Sequence, residues 1–344
     1  MKNNAPEVVV IGAGGIGGIT AAHASKAGFD VEIVDNLPGL SEKICMEGIE
    51  VSGTMTPFTE KITAYKSIRE VPGKKDIILL ATKATALCEI AEDLKSLMND
   101  TTVLVCMQNG ICEEYLSNIL GRNRVLGCVV GWGATVNEPG KLQKTSEGDF
   151  VIGALPGESV HHLNAVVEIL QATAPVNVTE NIAGWLYSKL IINACITTLG
   201  AICGITLGKM LAIRKIRNIF IEIIREAVQV GKKAGVRIEK YAGKLDFYTF
   251  AENGSAMAEG LKHLKIRVIG MKYKKLKSSS LQSLETGRKT EIDFLNGYIV
   301  KKGLELKVST PLNELLVELV KDIEIGTRTI SIDNFNLSGF NRFS

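Results

Sequence analysis

Apolar positions follow one rule in the first half of the chain and another in the second. The stretch from Glu7 to Ile11 is a β-branched run, which predicts a buried strand. Val31 to Val34, Asp76 to Thr82 and Thr101 to Met107 repeat that pattern, with helical spacing ending at Lys26 and over 84–98 between them. Strand–helix alternation predicts a parallel sheet covered by helices on both faces. Shorter strands follow at Val125 to Gly131, Lys141 to Lys144 and Phe150 to Gly153, then a helix over 158–173. Beyond Pro175 to Glu180 the period becomes helical throughout. Helices are predicted over 182–203, 210–234, 240–263, 280–303 and 311–324, with a loose tail after Gly326. The reading is an α/β domain over 1–176 and an all-α domain over 177–344.

Composition narrows the function classes. Lys+Arg is 40 and Asp+Glu is 37, a net charge of +3, too balanced for a dedicated nucleic-acid binder. The longest apolar stretch, Leu190 to Leu207, is broken by Asn193, Thr197 and Thr198, so no membrane span is expected. Met1 to Pro6 lacks the features of a secretory leader. The 7 cysteines contain no Cys-x-x-Cys and read as reduced thiols in the cytoplasm. With 4 histidines, two of them adjacent, and no Gly-x-Ser-x-Gly, neither a metal site nor a serine triad is expected. Seven Lys/Arg crowd Lys262 to Lys277, read as a solvated helix end and loop, with anion or partner binding as the alternative.

Glycine is the excess residue, 34 in all, close to a tenth of the chain against an ordinary ~7%. Five fall between 12 and 18. Gly12-Ala13-Gly14-Gly15-Ile16-Gly17 follows a strand and opens a helix, and the next strand ends at Asp35. That is the dinucleotide-binding fingerprint. Gly12 allows the turn, Gly14 removes a Cβ from the path of a pyrophosphate, and Gly17 lets helix and strand approach. The helix N-terminus offers N–H groups to phosphate. Asp35 accepts from ribose hydroxyls and repels a 2′-phosphate, which favours NAD. No arginine occupies the next dozen positions, and Lys43 is the nearest cation.

Lys83 and Asn109 each follow a strand's carboxyl end, where open α/β sheets bind ligands; a surface lysine and a plain Gln-Asn-Gly turn are the alternatives. Trp185, Lys189, Asn193 and Thr197 recur every four residues on an otherwise apolar helix. Burying a lysine unpaired is costly, so this stripe reads as the lining of a cleft, or else as a solvent-facing face. Glu291, with Ile292, Phe294, Leu295 and Ile299, reads as an ordinary acid on another helix.

Together these segments resemble the ketopantoate reductase (2-dehydropantoate 2-reductase) family across nearly the whole chain. The resemblance rests on the motif at 12–17, Thr82-Lys83-Ala84, Gln108-Asn109-Gly110, Trp185-x-x-x-Lys189-x-x-x-Asn193, Ser278-Ser279-Ser280-Leu281-Gln282, the string Thr290 to Gly297, and Thr310-Pro311. It implies a Rossmann domain followed by an all-α domain of the 6-phosphogluconate-dehydrogenase-like kind, with the active site in the cleft between them. It implies NAD(P)H-dependent reduction of a small branched 2-oxo acid, 2-dehydropantoate first, in pantothenate biosynthesis. Lys189 matches the general acid and Glu291 the carboxylate that orients substrate. Lys83 and Asn109 match the cofactor side, while Asn109, Asn193, Thr197 and Ser279 match the substrate side. The family norm is NADP, whereas Asp35 leans to NAD. Thr197 and Leu207 stand where the family carries asparagines, which keeps open a paralogue acting on another 2-oxo or 2-hydroxy acid. A catalytically silent dinucleotide-binding regulator is the third reading. The partners implied are a small 2-oxo acid and, by default, a second copy, with neither nucleic acid nor membrane.

Overall fold

The computed structural model describes residues 6–343, so the reading of Met1 to Pro6 lies, but for its last residue, outside the described residues. The chain divides into two compact units: Met1–Gln108 with Cys112–Ile182, and Asn109–Ile111 with Ala183–Ser344.

The first unit carries twelve strands: β1 Val8–Ile11, β2 Val31–Val34, β3 Ile49–Gly53, β4 Phe58–Glu60, β5 Thr63–Tyr65, β6 Lys75–Leu80, β7 Met98–Cys106, β8 Val125–Val130, β9 Gly133–Glu138, β10 Lys141–Ser146, β11 Phe150–Ala154 and β12 Val176–Val178. Eight form one sheet in the order β12-β11-β8-β7-β6-β1-β2-β5. Every pairing in it is parallel except β11 with β8. The strand order turns around at β1, the place where such sheets bind nucleotides. The β-branched run Val8 to Ile11 is buried on both faces, as a central parallel strand requires. The other four strands make a second sheet, β4-β3-β10-β9. β12 pairs with β11, so the unit continues to Ile182 rather than ending at 176. Its helices are α1 Gly15–Lys26, α2 Leu40–Glu47, α3 Leu87–Leu94, α4 Glu113–Leu120 and α5 Leu163–Gln171.

The second unit is helical: α6 Ile182–Cys203, α7 Leu207–Ala212, α8 Arg214–Lys233, α9 Phe247–Ala251, α10 Ala256–Lys272, α11 Ser279–Glu285, α12 Asn296–Leu306 and α13 Pro311–Glu324. Two of the long helices expected from sequence are broken. A loop replaces the helix start at 240, and the span 280–303 is interrupted between α11 and α12. α6 is long and apolar enough to cross a membrane, yet its apolar window is 83% buried inside the protein, as a core helix would be. The tail after Gly326 is not loose. Phe335 and Phe340 are buried and meet edge to face at 5.4 Å, and Asn334 donates to the Ile202 carbonyl at the end of α6.

A buried polar chain ties four of these helices together. Thr198 donates to Asn296, and Asn296 donates to Asn313 Oδ1 at 2.9 Å. Asn313 Nδ2 donates to Glu226 Oε2 at 2.6 Å, and the Leu312 and Asn313 N–H groups donate to the same carboxylate. Glu226 therefore satisfies the open N-terminus of α13 behind Pro311. Burial pushes its pKa up, against the hydrogen bonds that hold it down. The folded protein thus binds this proton more readily than the unfolded chain. Glu226's contribution is present below the unfolded pKa and is lost as pH rises through the folded one. In urea unfolding, wild type should lose stability relative to Glu226→Gln as pH rises above the ordinary glutamate range. The variant itself should cost about 1–3 kcal/mol by turning an amide donor toward the α13 N–H groups. A difference that is flat or rises with pH would show the carboxyl not to be raised.

Candidate functional site

One group of candidate residues is built by β1, the loop after it and α1. The Gly12 N–H donates to the Val34 carbonyl at 2.7 Å, which links the loop to the end of β2. A Cβ on Gly17 would lie 2.0 Å from the Gly12 carbonyl oxygen, so only glycine allows this closeness of helix and loop. Gly15 lies against Ala134 of β9 in the same way, and Ile16 packs on the sheet core. At Gly14 a Cβ would meet nothing within 4 Å. Space therefore stands in front of the α1 N-terminus, where no side chain caps the helix and no acid occupies the first turn. The first-turn N–H groups point there, which is how a helix holds a phosphate. Asp35 lies just beyond β2. Its Oδ2 accepts the Ala13 N–H at 2.7 Å and its Oδ1 accepts the Leu37 N–H at 2.9 Å. Each carboxylate oxygen has a second acceptor site, so the ribose hydroxyls can still be bound. The residues present fit a dinucleotide.

Lys83 is exposed at the carboxyl end of β6. Gln108, buried after β7, donates from Nε2 to Thr82 Oγ1 at 3.0 Å and to the Lys83 carbonyl at 3.3 Å. Sequence reasoning gave Gln108 no role of its own; its amide fixes the segment that carries Lys83.

A separate group lies within the helical unit. Gly110 has φ +88°, and a Cβ there would come within 2.6 Å of the Phe294 carbonyl oxygen. The tight approach sets Asn109 beside Glu291: Asn109 Nδ2 donates to Glu291 Oε2 at 3.3 Å, and Asn193 Nδ2 donates to Asn109 Oδ1 at 3.3 Å. Asn109 thus bridges the carboxylate and the α6 stripe. Lys189 precedes Asn193 by one turn on the same face, with Cβ atoms about 5–6 Å apart by helix geometry. Trp185, Lys189, Asn193 and Glu291 are all half-buried.

Two readings need correcting. Glu291 is not on a helix; it ends a loop and precedes the short 3-10 turn Ile292–Phe294. Thr197 does not continue the accessible stripe. It is buried, its hydroxyl donates to the Asn193 carbonyl at 2.8 Å, and the half-buried position there is Ile196. Ser279 is exposed, and it is Ser278 that connects to α6: buried, it donates to the Thr197 carbonyl at 3.2 Å and caps α11 by accepting the Leu281 N–H. Leu207 is buried in α7. Among the described residues no group of three or more His, Cys, Asp or Glu could hold a metal ion.

The helical unit holds a carboxylate and two amides in one hydrogen-bonded row with a lysine one turn away, and the first unit holds an uncapped helix N-terminus behind a glycine loop. Comparison with known proteins identifies the family. The family model described as "Ketopantoate reductase PanE/ApbA" matches residues 8–157, and its C-terminal counterpart matches 181–324. A 2-dehydropantoate 2-reductase of Pyrococcus horikoshii is 28% identical over 317 residues, spanning 92% of this chain and 96% of that protein. A PanE/ApbA family ketopantoate reductase from Ralstonia eutropha superposes with a TM-score of 0.79 at 25% identity, covering 93% of this chain and 98% of that one. A D-mandelate dehydrogenase, solved with NADH and anilino(oxo)acetate, shares the fold with a TM-score of 0.78 at 21% identity, covering 92% and 98%.

Proposed function

The chain belongs to the ketopantoate reductase family of CH–OH oxidoreductases, and on that premise we propose that it reduces a small branched 2-oxo acid, 2-dehydropantoate first, with NADH. The observation that carries this reading is the Glu291–Asn109–Asn193 bridge with Lys189 one turn away. The Lys189 ammonium donates a hydrogen bond to the substrate keto oxygen, stabilises negative charge growing there, and then gives up its proton. Glu291 and the two amides orient the hydroxy-acid end of the substrate. The first-turn N–H groups of α1 hold the pyrophosphate, and Asp35 and Lys83 take the ribose ends. A bound reduced nicotinamide supplies the hydride that reaches the keto carbon. The cytoplasm is the proposed setting, supported by seven cysteines that stand as free thiols.

A second reading, a different 2-oxo acid, draws on Thr197, Leu207 and Ile196. Two polar donors of the family pattern are replaced by buried side chains, and an apolar one is accessible. Sites that read a substrate hydroxyl discriminate through such donors. The test follows NADH and NADPH oxidation separately with 2-dehydropantoate and a panel of 2-oxo acids. The expected result is turnover with NADH at least ~tenfold more efficient than with NADPH, about 1.4 kcal/mol of discrimination. The reverse preference would overturn the role of Asp35. Turnover with another 2-oxo acid alone would establish the second reading, and none with any would leave a dinucleotide-binding regulator.

A further inference from the structure

Three arginines and a histidine gather where the start of α8 runs beside α10. Arg217 donates from Nε to His263 Nδ1 at 3.3 Å, and from Nη1 to the Leu211 and Ala212 carbonyls at 2.9 and 2.6 Å. These bonds hold the guanidinium still, and the Nη2 donors keep no partner among the described residues. His263 accepts at Nδ1, so its proton is on Nε2, a further donor. Arg214 precedes Arg217 by three positions on α8, and Arg267 follows His263 by four on α10, the spacings that put side chains on one helix face. Their charges reach the central pair. Burial, then Arg267 and Arg214, hold the Arg217 pKa below its usual value, and burial, then Arg217 and Arg214, do the same to His263.

The cluster runs against ordinary electrostatics. Among the described residues none of its three guanidiniums makes an ion pair. Glu259, one turn before His263, is bonded to Lys262 at 2.8 Å and lies 3.6 Å from Arg225. The first turn of α8 holds no acid, so Arg214 and Lys215 stand at the positive end of the helix dipole. Like charges gathered without a counter-ion cost stability, and folds keep such violations at functional sites.

We propose that Arg214, Arg217, His263 and Arg267 bind the phosphate group of a small, soluble phosphate monoester. Three forked guanidiniums match a dianion with three acceptor oxygens, whereas a carboxylate would neutralise only one of them. Arg217 and His263 are half-buried while Arg214 and Arg267 are exposed, so the group enters between two outer arms rather than lying flat against a surface. Of the basic stretch from Lys262 to Lys277, Arg267 is the cation that belongs to this site. None of the four residues has a part in the proposed reduction.

The test is isothermal titration calorimetry of the full chain with inorganic phosphate and with phenyl phosphate, at constant ionic strength and with NADH present throughout. Wild type should bind both. Arg214→Gln/Arg267→Gln should bind at least ~tenfold more weakly, as the loss of two charge-assisted contacts predicts. Both side chains are exposed, so its circular dichroism spectrum should hold and its melting temperature should not fall. Lys274→Gln/Lys275→Gln removes the same charge from the basic stretch outside the cluster and should bind like wild type. The α1 N-terminus is unchanged in every variant, so phosphate bound there cancels from the comparison. No binding by wild type beyond that of acetate, or equal binding by the arginine variant, would leave no site. An equal loss in the lysine variant would leave only a diffuse field, and either result overturns the proposal. So would retention on vesicles of phosphatidic acid by a protein with no affinity for phenyl phosphate, since the group would then be read only on a lipid surface.

Discussion

Lys189→Met should lower kcat for 2-oxo acid reduction by about 10²–10⁴-fold, the range for removing a positioned general acid. The stem of methionine fills nearly the same volume, so the half-buried face of α6 should keep its packing and the melting temperature should hold. NADH affinity, followed by fluorescence titration, should also hold, because the phosphate cradle belongs to the other unit. Lys189→Arg should not restore turnover: a guanidinium keeps the charge but does not give up its proton. Near-normal turnover in Lys189→Met would remove Lys189 from the chemistry.

Gly17→Ala and Gly14→Ala should separate folding from cofactor binding. At Gly17 the added methyl would sit 2.0 Å from the Gly12 carbonyl oxygen. α1 must then move away from the loop, at a cost of about 1–3 kcal/mol for the overpacking, with the first-turn N–H groups displaced. The apoprotein should melt at lower temperature and NADH affinity should fall. At Gly14 the methyl meets nothing, so the apoprotein should melt like wild type. It would occupy the space reserved for the pyrophosphate, and the rise in melting temperature that NADH gives wild type should vanish. An NADH-induced rise retained in Gly14→Ala would show that the phosphates lie elsewhere.

The sequence carried the central strands plainly, since Val8–Ile11 and residues 77–80 are buried on both faces and show unbroken apolar runs. The second sheet was harder to see. β9, Gly133–Glu138, is largely exposed and has no apolar run. Asn193 and Asn109 stood out because a polar side chain on an apolar helix or at a strand end has few bland explanations, and the fold joins their amides. Thr197 was misread for a geometric reason. A step of four residues advances about 40° beyond a full turn, so three steps from Trp185 rotate about 120° and carry Thr197 into the core. Ile196 then takes the accessible place. Glu291 looked helical because the apolar residues around it continue at helical spacing through a loop. The chain from Thr198 to Glu226 left no local trace, for its members lie on four separate helices and meet only in the folded unit. The tail shows no periodic pattern in the sequence, yet two phenylalanines fasten it.

Asp35 holds two backbone N–H groups, one of them Ala13 in the glycine loop. The side chain proposed to read the adenosine ribose is thus also a strut for the loop proposed to grip the phosphates. Recruiting NADPH by exchanging Asp35 for a cationic or neutral residue would therefore weaken the grip on either nucleotide as well as changing which is chosen. A successful specificity graft must bring its own support for the Ala13 amide, and lineages that switch nucleotide are expected to alter both places together.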